Sequence, residues 1–335
     1  MKLKWNAALA KRLVADSRLF LILILMMVVL SFISDRFLTL ENLTNVLWSV
    51  CLIGIMCAGT IYAPITGGTD LSVASIAALS GIIANVMMNG FGINWILSIF
   101  ITLFFGVLIG LLNGIVTTKF RVPAFIVTMA AKTYLFGIAM LISSGDQITI
   151  MQPAGFLSIG IGKLFGIPFP IYIMIFLTIV SHILLKNTVF GRQAIAVGAN
   201  EVAAKLSGVN PDRIRIIAYI ISAVTATIAG IVMASLTQQA YAMNAGGYEL
   251  NVITAIVVGG TSLKGGKGSV TGALIGAVMV GFINNGLNLL NMSSSYHPLA
   301  TGIVILVALI LNQGPMGKSN VKRVSGLHKP AGAAK

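Results

Sequence analysis

A few polar side chains interrupt otherwise apolar sequence, and their types and spacing define the chemistry open to this chain. Asp70 follows Gly67, Gly68 and Thr69 and precedes the run 71–118, which contains no Asp, Glu, Lys or Arg. Ionisable groups at membrane depth are costly and face a cavity or a partner, so Asp70 suits a solute pathway. The same position, just before Leu71 and Ser72, equally suits an N-cap for the helix that follows. Glu249 poses the same choice: it stands just inside a helix preceded by Gly246 and Gly247, and it can pair with Lys132, the basic residue inside another apolar run. Asn284, Asn285 and Asn288 cluster within one apolar run, with Asn284 and Asn288 on one face at i,i+4. Such amides either hydrogen-bond between helices or meet the hydroxyl groups of a solute. Ser72, Phe125 and Thr128, the last two at i,i+3, are pathway candidates of the same kind.

Nucleotide and hydrolytic chemistry find no support. The stretch GGTSLKGGKGS at 259–269 approaches the phosphate-binding pattern G-x-x-x-x-G-K-[ST]. It fails because Thr261 stands where glycine belongs and Gly268 where Ser or Thr belongs. A glycine-rich turn between two spans is the better reading. H-E-x-x-H and G-x-S-x-G are absent. Cys51 and Cys57, six apart in one apolar run, fit neither a metal motif nor a disulfide and read as buried thiols. No catalytic residue, metal or bound cofactor is assigned to the chain.

The elements that must position these groups follow from composition. Of the 335 residues, 57% are hydrophobic and 9% charged, against about a quarter charged in a soluble domain. The runs are continuous rather than alternating, which excludes a β-barrel. The expected class is an all-α polytopic membrane protein, a single transmembrane domain over 1–335. About ten spans are expected, near 19–34, 44–66, 71–90, 95–118, 122–143, 167–185, 214–236, 243–262, 269–291 and 297–314, the eighth broken or re-entrant. The first follows a basic segment, 1–18, without a clean small-residue cleavage site, and reads as uncleaved.

The net charge of +14 reflects membrane topology rather than nucleic-acid binding. With the N-terminus in the cytoplasm, basic residues collect in 119–121, 186–213, 263–268 and the tail 315–335. The external segments 35–43, 91–94, 144–166, 237–242 and 292–296 hold only Arg36 and Lys163. Both termini are then cytoplasmic. GGT-x-L occurs at Gly67 and again at Gly259, each opening onto an apolar helix near the cytoplasmic side.

The longest cytoplasmic loop carries GANEVAAKLSGVNPDR, 198–213. Asn200 is a good N-cap, Glu201 complements the helix dipole and stands at i,i+4 from Lys205, and Gly208 offers a stop. Val202, Leu206 and Val209 line one side. Asn210 and Pro211 read as cap and first residue of the next helix, with Arg213 and Arg215 at its membrane mouth. The result is a short amphipathic helix outside the bilayer, either resting on headgroups or docking a partner.

GRQAIAVGANEVAAKLSGVNPDR resembles the cytoplasmic coupling loop of bacterial ABC importer permeases, most closely the ribose-type monosaccharide branch. GGTDLSVASIAALSG at 67–81, VPAFIVTM at 122–129, YELNVITAIVVGGTSLKGGKGSVTGALIGA at 248–277 and INNGLNLLNM at 283–292 are similar to further blocks of that branch in the same order. Ala74 stands where glycine is usual. The resemblance covers roughly 45–312 and implies an inner-membrane subunit that pairs with a second permease chain, identical or paralogous. A separate cytoplasmic ATPase using ATP and Mg would drive it, and an external binding protein would deliver the sugar. It further implies that Asn200, Glu201, Ala203, Ala204, Leu206 and Gly208 seat the coupling helix on the ATPase. Nucleoside, autoinducer or branched-chain amino-acid cargo, or an ion-coupled carrier using Asp70 or Glu249, are the alternatives.

Overall fold

In hydrocarbon every backbone N–H and C=O needs an internal partner, which leaves helices as the route by which a continuous apolar chain crosses. The structure, a computed structural model, describes residues 21–312 apart from 22, 33, 151, 152 and 294 and the side chains of 308–312. The basic segments 1–18 and 315–335 lie outside the described residues. Helix α1 covers Leu23–Phe32. Then come α2 (Leu40–Thr60), the single turn α3 (Tyr62–Ile65), and α4 (Val73–Asn85) running into a π turn at Val86–Gly90. They are followed by α5 (Trp95–Lys119), α6 (Ala124–Ile142), α7 (Ala154–Ile161), α8 (Phe169–Asn187), α9 (Val189–Ala199) and α10 (Glu201–Leu206). The chain continues with α11 (Pro211–Thr237), α12 (Tyr248–Val258), α13 (Val270–Leu289) and α14 (Tyr296–Asn312). Among the described residues strand is confined to two antiparallel ladders, β1 (Ile148–Thr149) with β4 (Gln239–Ala240) and β2 (Lys163–Leu164) with β3 (Ile167–Pro168).

Among the described residues seven helices are long and apolar enough to cross a membrane, and three shorter apolar helices, α1, α12 and the Tyr296–Val307 part of α14, fall on the remaining expected runs. The eighth run, expected to be broken or re-entrant, carries only a short helix. Its eleven helical residues reach about 16 Å at 1.5 Å per residue, half of a hydrocarbon core of roughly 30 Å. Gly247 at φ +83° starts α12, and Gly260 at φ +86° ends the turn beyond it. Between β4 and α12 the chain runs in turns. The segment 144–166, expected to be external, is not a plain loop but carries α7 and parts of both ladders.

Central to the bundle is α11, packed by α2, α4 and α5. Hydrophobic burial does not pull helices together in lipid, so close backbone approach and dispersion must do so. Glycines make that approach. Gly106, Gly110 and Gly114 fall four apart on α5, and a β-carbon on Gly110 would sit 2.7 Å from both Ile220 Cα and the Tyr219 carbonyl oxygen of α11. On the other side, one at Gly230 of α11 would sit 2.1 Å from the Ala77 carbonyl of α4. Gly230→Ala is therefore expected to force these helices apart and to destabilise the fold by about 1–3 kcal/mol. Thermal unfolding in detergent checks this, with Gly302→Ala, where nothing lies within 4 Å, as the neutral control.

The outward faces of α5 and α8 are apolar, with Phe100, Phe104 and Phe176 each at least 60% exposed. Segments expected on the cytoplasmic side gather on one face of the bundle. There the Gly266 amide donates to the Ile65 carbonyl at 2.9 Å, which brings the two GGT-x-L turns together. Gly198 packs so closely on Ile65 that a β-carbon would lie 1.8 Å from that same oxygen. The β1–β4 ladder and α7 sit at the other ends of these helices and form the opposite face.

Candidate functional site

Helix α10 is built by strong local signals. The Asn200 side chain accepts from the Ala203 amide at 3.0 Å. At the other end the Gly208 amide donates to the Lys205 carbonyl and the Val209 amide to the Ala204 carbonyl, the double bond of a Schellman stop. Gly208 takes φ +81°, a left-handed conformation that strains any residue with a β-carbon. Asn210 then accepts from the Arg213 amide at 3.2 Å, with Pro211 in the first turn of α11.

Glu201 makes its ion pair with Arg215 at 2.6 Å rather than with the expected Lys205. Arg215 projects from α11 and also donates Nε to the Thr66 carbonyl at 3.4 Å, so one guanidinium fastens α10 to α11 and to the end of α3. The Arg215 guanidinium beside Glu201 holds its carboxyl below the usual carboxylate range. A lowered carboxylate keeps such a pair above that value and loses it only as pH falls through it. Ala204 is buried against its own chain. The open side of α10 carries Ala203, Val202 and Leu206, the last two 69% and 85% exposed. Beside it a groove of about 1040 Å³ is walled by Gly67, Arg121, Pro123, Glu201, Arg215 and Tyr219 among others.

Asp70 lies in the unwound segment between α3 and α4 and is buried. Its carboxylate accepts from the Ser72 amide at 3.0 Å and the Ser72 hydroxyl at 2.5 Å, and from the Ser222 hydroxyl of α11 at 2.7 Å. Asn113 of α5 donates to Ser72 at 3.0 Å. The expected cap is thus local in form, an Asx turn onto Ser72, but α4 itself begins at Val73 without a side-chain cap. Asp70 and Ser72 join three helices in a satisfied polar knot. Thr128 is buried and bonds the carbonyls of Ala124 and Thr69, whereas Phe125, three residues earlier, is 56% exposed.

Two cavities flank the turn that starts α12. The first, about 260 Å³, is lined by Ser75, Lys132, Thr133, Met243, Gly247 and Glu249 among others. Lys132 Nζ and Glu249 Oε1 form an ion pair across it, with 37% and 6% of each side chain exposed. The pairing expected as possible from sequence is thus realised, and Ser75 holds the Lys132 carbonyl at 2.8 Å. Glu249 also stands in the first turn of α12, where a negative charge complements the dipole. The second cavity, about 370 Å³, brings together Asn284 and Asn288 of the amide cluster with Ser49, Asn251, His297 and Thr301, four residues that sequence reasoning missed. Asn285 points elsewhere: it exchanges two amide hydrogen bonds with Asn42 of α2, at 3.0 and 2.6 Å, the interhelical role. No group of three or more His, Cys, Asp or Glu that could hold a metal occurs among the described residues.

Residues 42–309 match the family described as branched-chain amino acid transport system / permease component. The chain belongs to this permease family. It is similar to the ribose import permease protein RbsC of Haemophilus influenzae, 39% identical over 302 residues that cover 89% of this chain and 93% of the relative. RbsC of Escherichia coli K12 is 37% identical, covering 87% and 91%. The L-arabinose transport system permease protein AraH of the same strain is 34% identical, covering 83% and 84%. No solved structure matches the chain. The permease is thus a multi-pass inner-membrane transport subunit rather than an enzyme. Its cavities and its protruding α10 are the parts of a transporter to be explained.

Proposed function

We propose that this permease is the membrane subunit of an ATP-driven importer for a ribose-like pentose or a related monosaccharide. The observation that carries the reading is α10. A helix of six residues, stopped at both ends and tied down through Arg215, presents two large apolar side chains to water, and nothing in its own fold uses them. Exposed apolar anchors of that kind mark a protein contact. In this reading a cytoplasmic ATPase, which binds ATP and Mg, seats α10 through Val202, Ala203 and Leu206, with Asn200 and Gly208 setting its angle and Glu201 its attachment. Closure of the ATPases moves α10, and Arg215 carries the movement to α11 and the end of α3.

Lys132, partly exposed on the outer surface of α6, cannot rest against lipid without a large cost. A second permease chain, identical or paralogous, covers this face and turns the cavities of the two chains into one pathway. An external binding protein delivers the solute. The length over which the chain matches ribose and arabinose permeases supports a sugar over the amino acid in the family description. A zwitterionic solute needs both a cation and an anion, and Lys132 and Glu249 are engaged with each other.

Vesicles containing the permease, its ATPase and its binding protein should accumulate labelled ribose only when ATP is present on the ATPase side. Uptake that follows a proton or sodium gradient without ATP would overturn the assignment. Accumulation of labelled leucine in place of ribose would overturn the choice of solute.

A further inference from the structure

The second cavity differs from the first in the chemistry of its wall. Its polar side chains, Ser49, Asn251, Asn284, Asn288, His297 and Thr301, are hydroxyls, amides and one imidazole, with no Asp, Glu, Lys or Arg among the lining residues. They come from α2, α12, α13 and α14, so four helices converge on one space. At about 370 Å³ it falls in the size range of small-molecule sites, about 300–1,000 Å³. Tyr248 and Pro298 add flat apolar surface.

Hydrogen bonding in this wall is incomplete. Asn284 Oδ1 and His297 Nε2 are buried and have no partner. Thr301 donates to Asn251 Oδ1 at 3.3 Å, while the Asn251 amide nitrogen bonds no described residue. Leaving a buried donor or acceptor unmade is costly, and native proteins answer each exception with water, an ion or a ligand. Lipid chains cannot satisfy these atoms, and a cation would find no carboxylate. A solute with several neutral hydroxyls fits, because each hydroxyl both donates and accepts.

We propose that this cavity is a binding site for a neutral polyhydroxyl solute of monosaccharide size, with Asn284, Asn288, Asn251 and His297 as its hydrogen-bonding groups. The site lies where α13 ends and α14 begins, on the face opposite α10, and shares the turn at Gly246 and Gly247 with the Lys132–Glu249 cavity. The inference rests on the importer reading and deepens it by naming the groups that first contact the sugar.

The test is saturation-transfer NMR with ribose on the full-length permease in nanodiscs, beside ATP-driven ribose uptake by the complete importer. Wild type is expected to give a ribose signal that falls at least tenfold in Asn284→Leu and in Thr301→Val. The second variant keeps side-chain volume and removes one hydroxyl, so it guards against a merely misfolded Asn284→Leu protein, and co-purification of the ATPase checks both. Leucine, as the probe lacking hydroxyls, should give no signal. An unchanged ribose signal in both folded variants, or a bound acyl chain occupying the cavity, overturns the site. If wild-type vesicles import ribose yet the nanodiscs give no ribose signal, the site is wrong and the importer stands. If they import no ribose at all, the importer reading is what fails.

Discussion

Leu206→Glu is expected to abolish capture of the ATPase while leaving the permease folded. Leu206 and Val202 stand at i,i+4 on the open side of α10, 85% and 69% exposed, so replacing either removes little contact from the permease itself. In the proposed complex they become the buried centre of a small interface. Truncation of such an anchor costs about 2–4 kcal/mol, and a carboxylate forced into the same pocket adds its desolvation. Association should fall by roughly 30- to 700-fold from the anchor alone. Pull-down of the ATPase by tagged permease, with Val202→Glu in parallel, measures this. Undiminished capture by both variants would remove the role given to α10. Gly208→Ala separates anchoring from attachment. A β-carbon there meets open space, but the left-handed backbone costs about 1–2 kcal/mol, so the partner should be held more weakly rather than lost.

The second large effect concerns the pair between α6 and α12. Removing one partner of a buried pair costs about 3–5 kcal/mol because the other charge is stranded. The two halves are unequal here. Glu249 keeps 6% of its side chain exposed and Lys132 37%, so Lys132→Met strands the deeper charge. Glu249→Gln strands the less buried of the two charges. Thermal unfolding in detergent should therefore show Lys132→Met well below Glu249→Gln. The double variant Lys132→Met with Glu249→Gln should regain most of the loss, since no charge is then buried alone. Equal midpoints for Lys132→Met and wild type would mean that the pair does not hold α12 in place.

What sequence reasoning captured here is local. The caps at Asn200 and Asn210 and the stop at Gly208 are set by residues within a turn or two of one another, and each is found where expected. Partners drawn from distant helices were not readable. Glu201 had Lys205 beside it in sequence, but α11 returns to place Arg215 closer. Asp70 looked like the cap of α4 because Ser222, 152 residues away, is invisible to local reasoning. The pair of Lys132 and Glu249 could be named as compatible charges, yet their meeting depends on where the short helix α12 begins against α6. Gly246, Gly247, Gly259 and Gly260 bracketed that short helix in plain view. The spacing of Gly106, Gly110 and Gly114 was also available as a small-xxx-small signature of helix contact and went unused. Ser49 and Asn251 gave no signal, being single polar residues on separate helices, whereas His297 and Thr301 stand at i,i+4 on α14 and share a face that local spacing could have shown.

The close seams of α11 with α4 and α5 also bear on how the bundle assembles from its separate spans. A glycine has no side-chain torsion to immobilise, whereas burying a long side chain freezes freedom worth up to about 2 kcal/mol. Docking along Gly106, Gly110, Gly114 and Gly230 thus gains dispersion at little ordering loss. These helices are suited to associate early, as a stiff spine against which the shorter elements later settle.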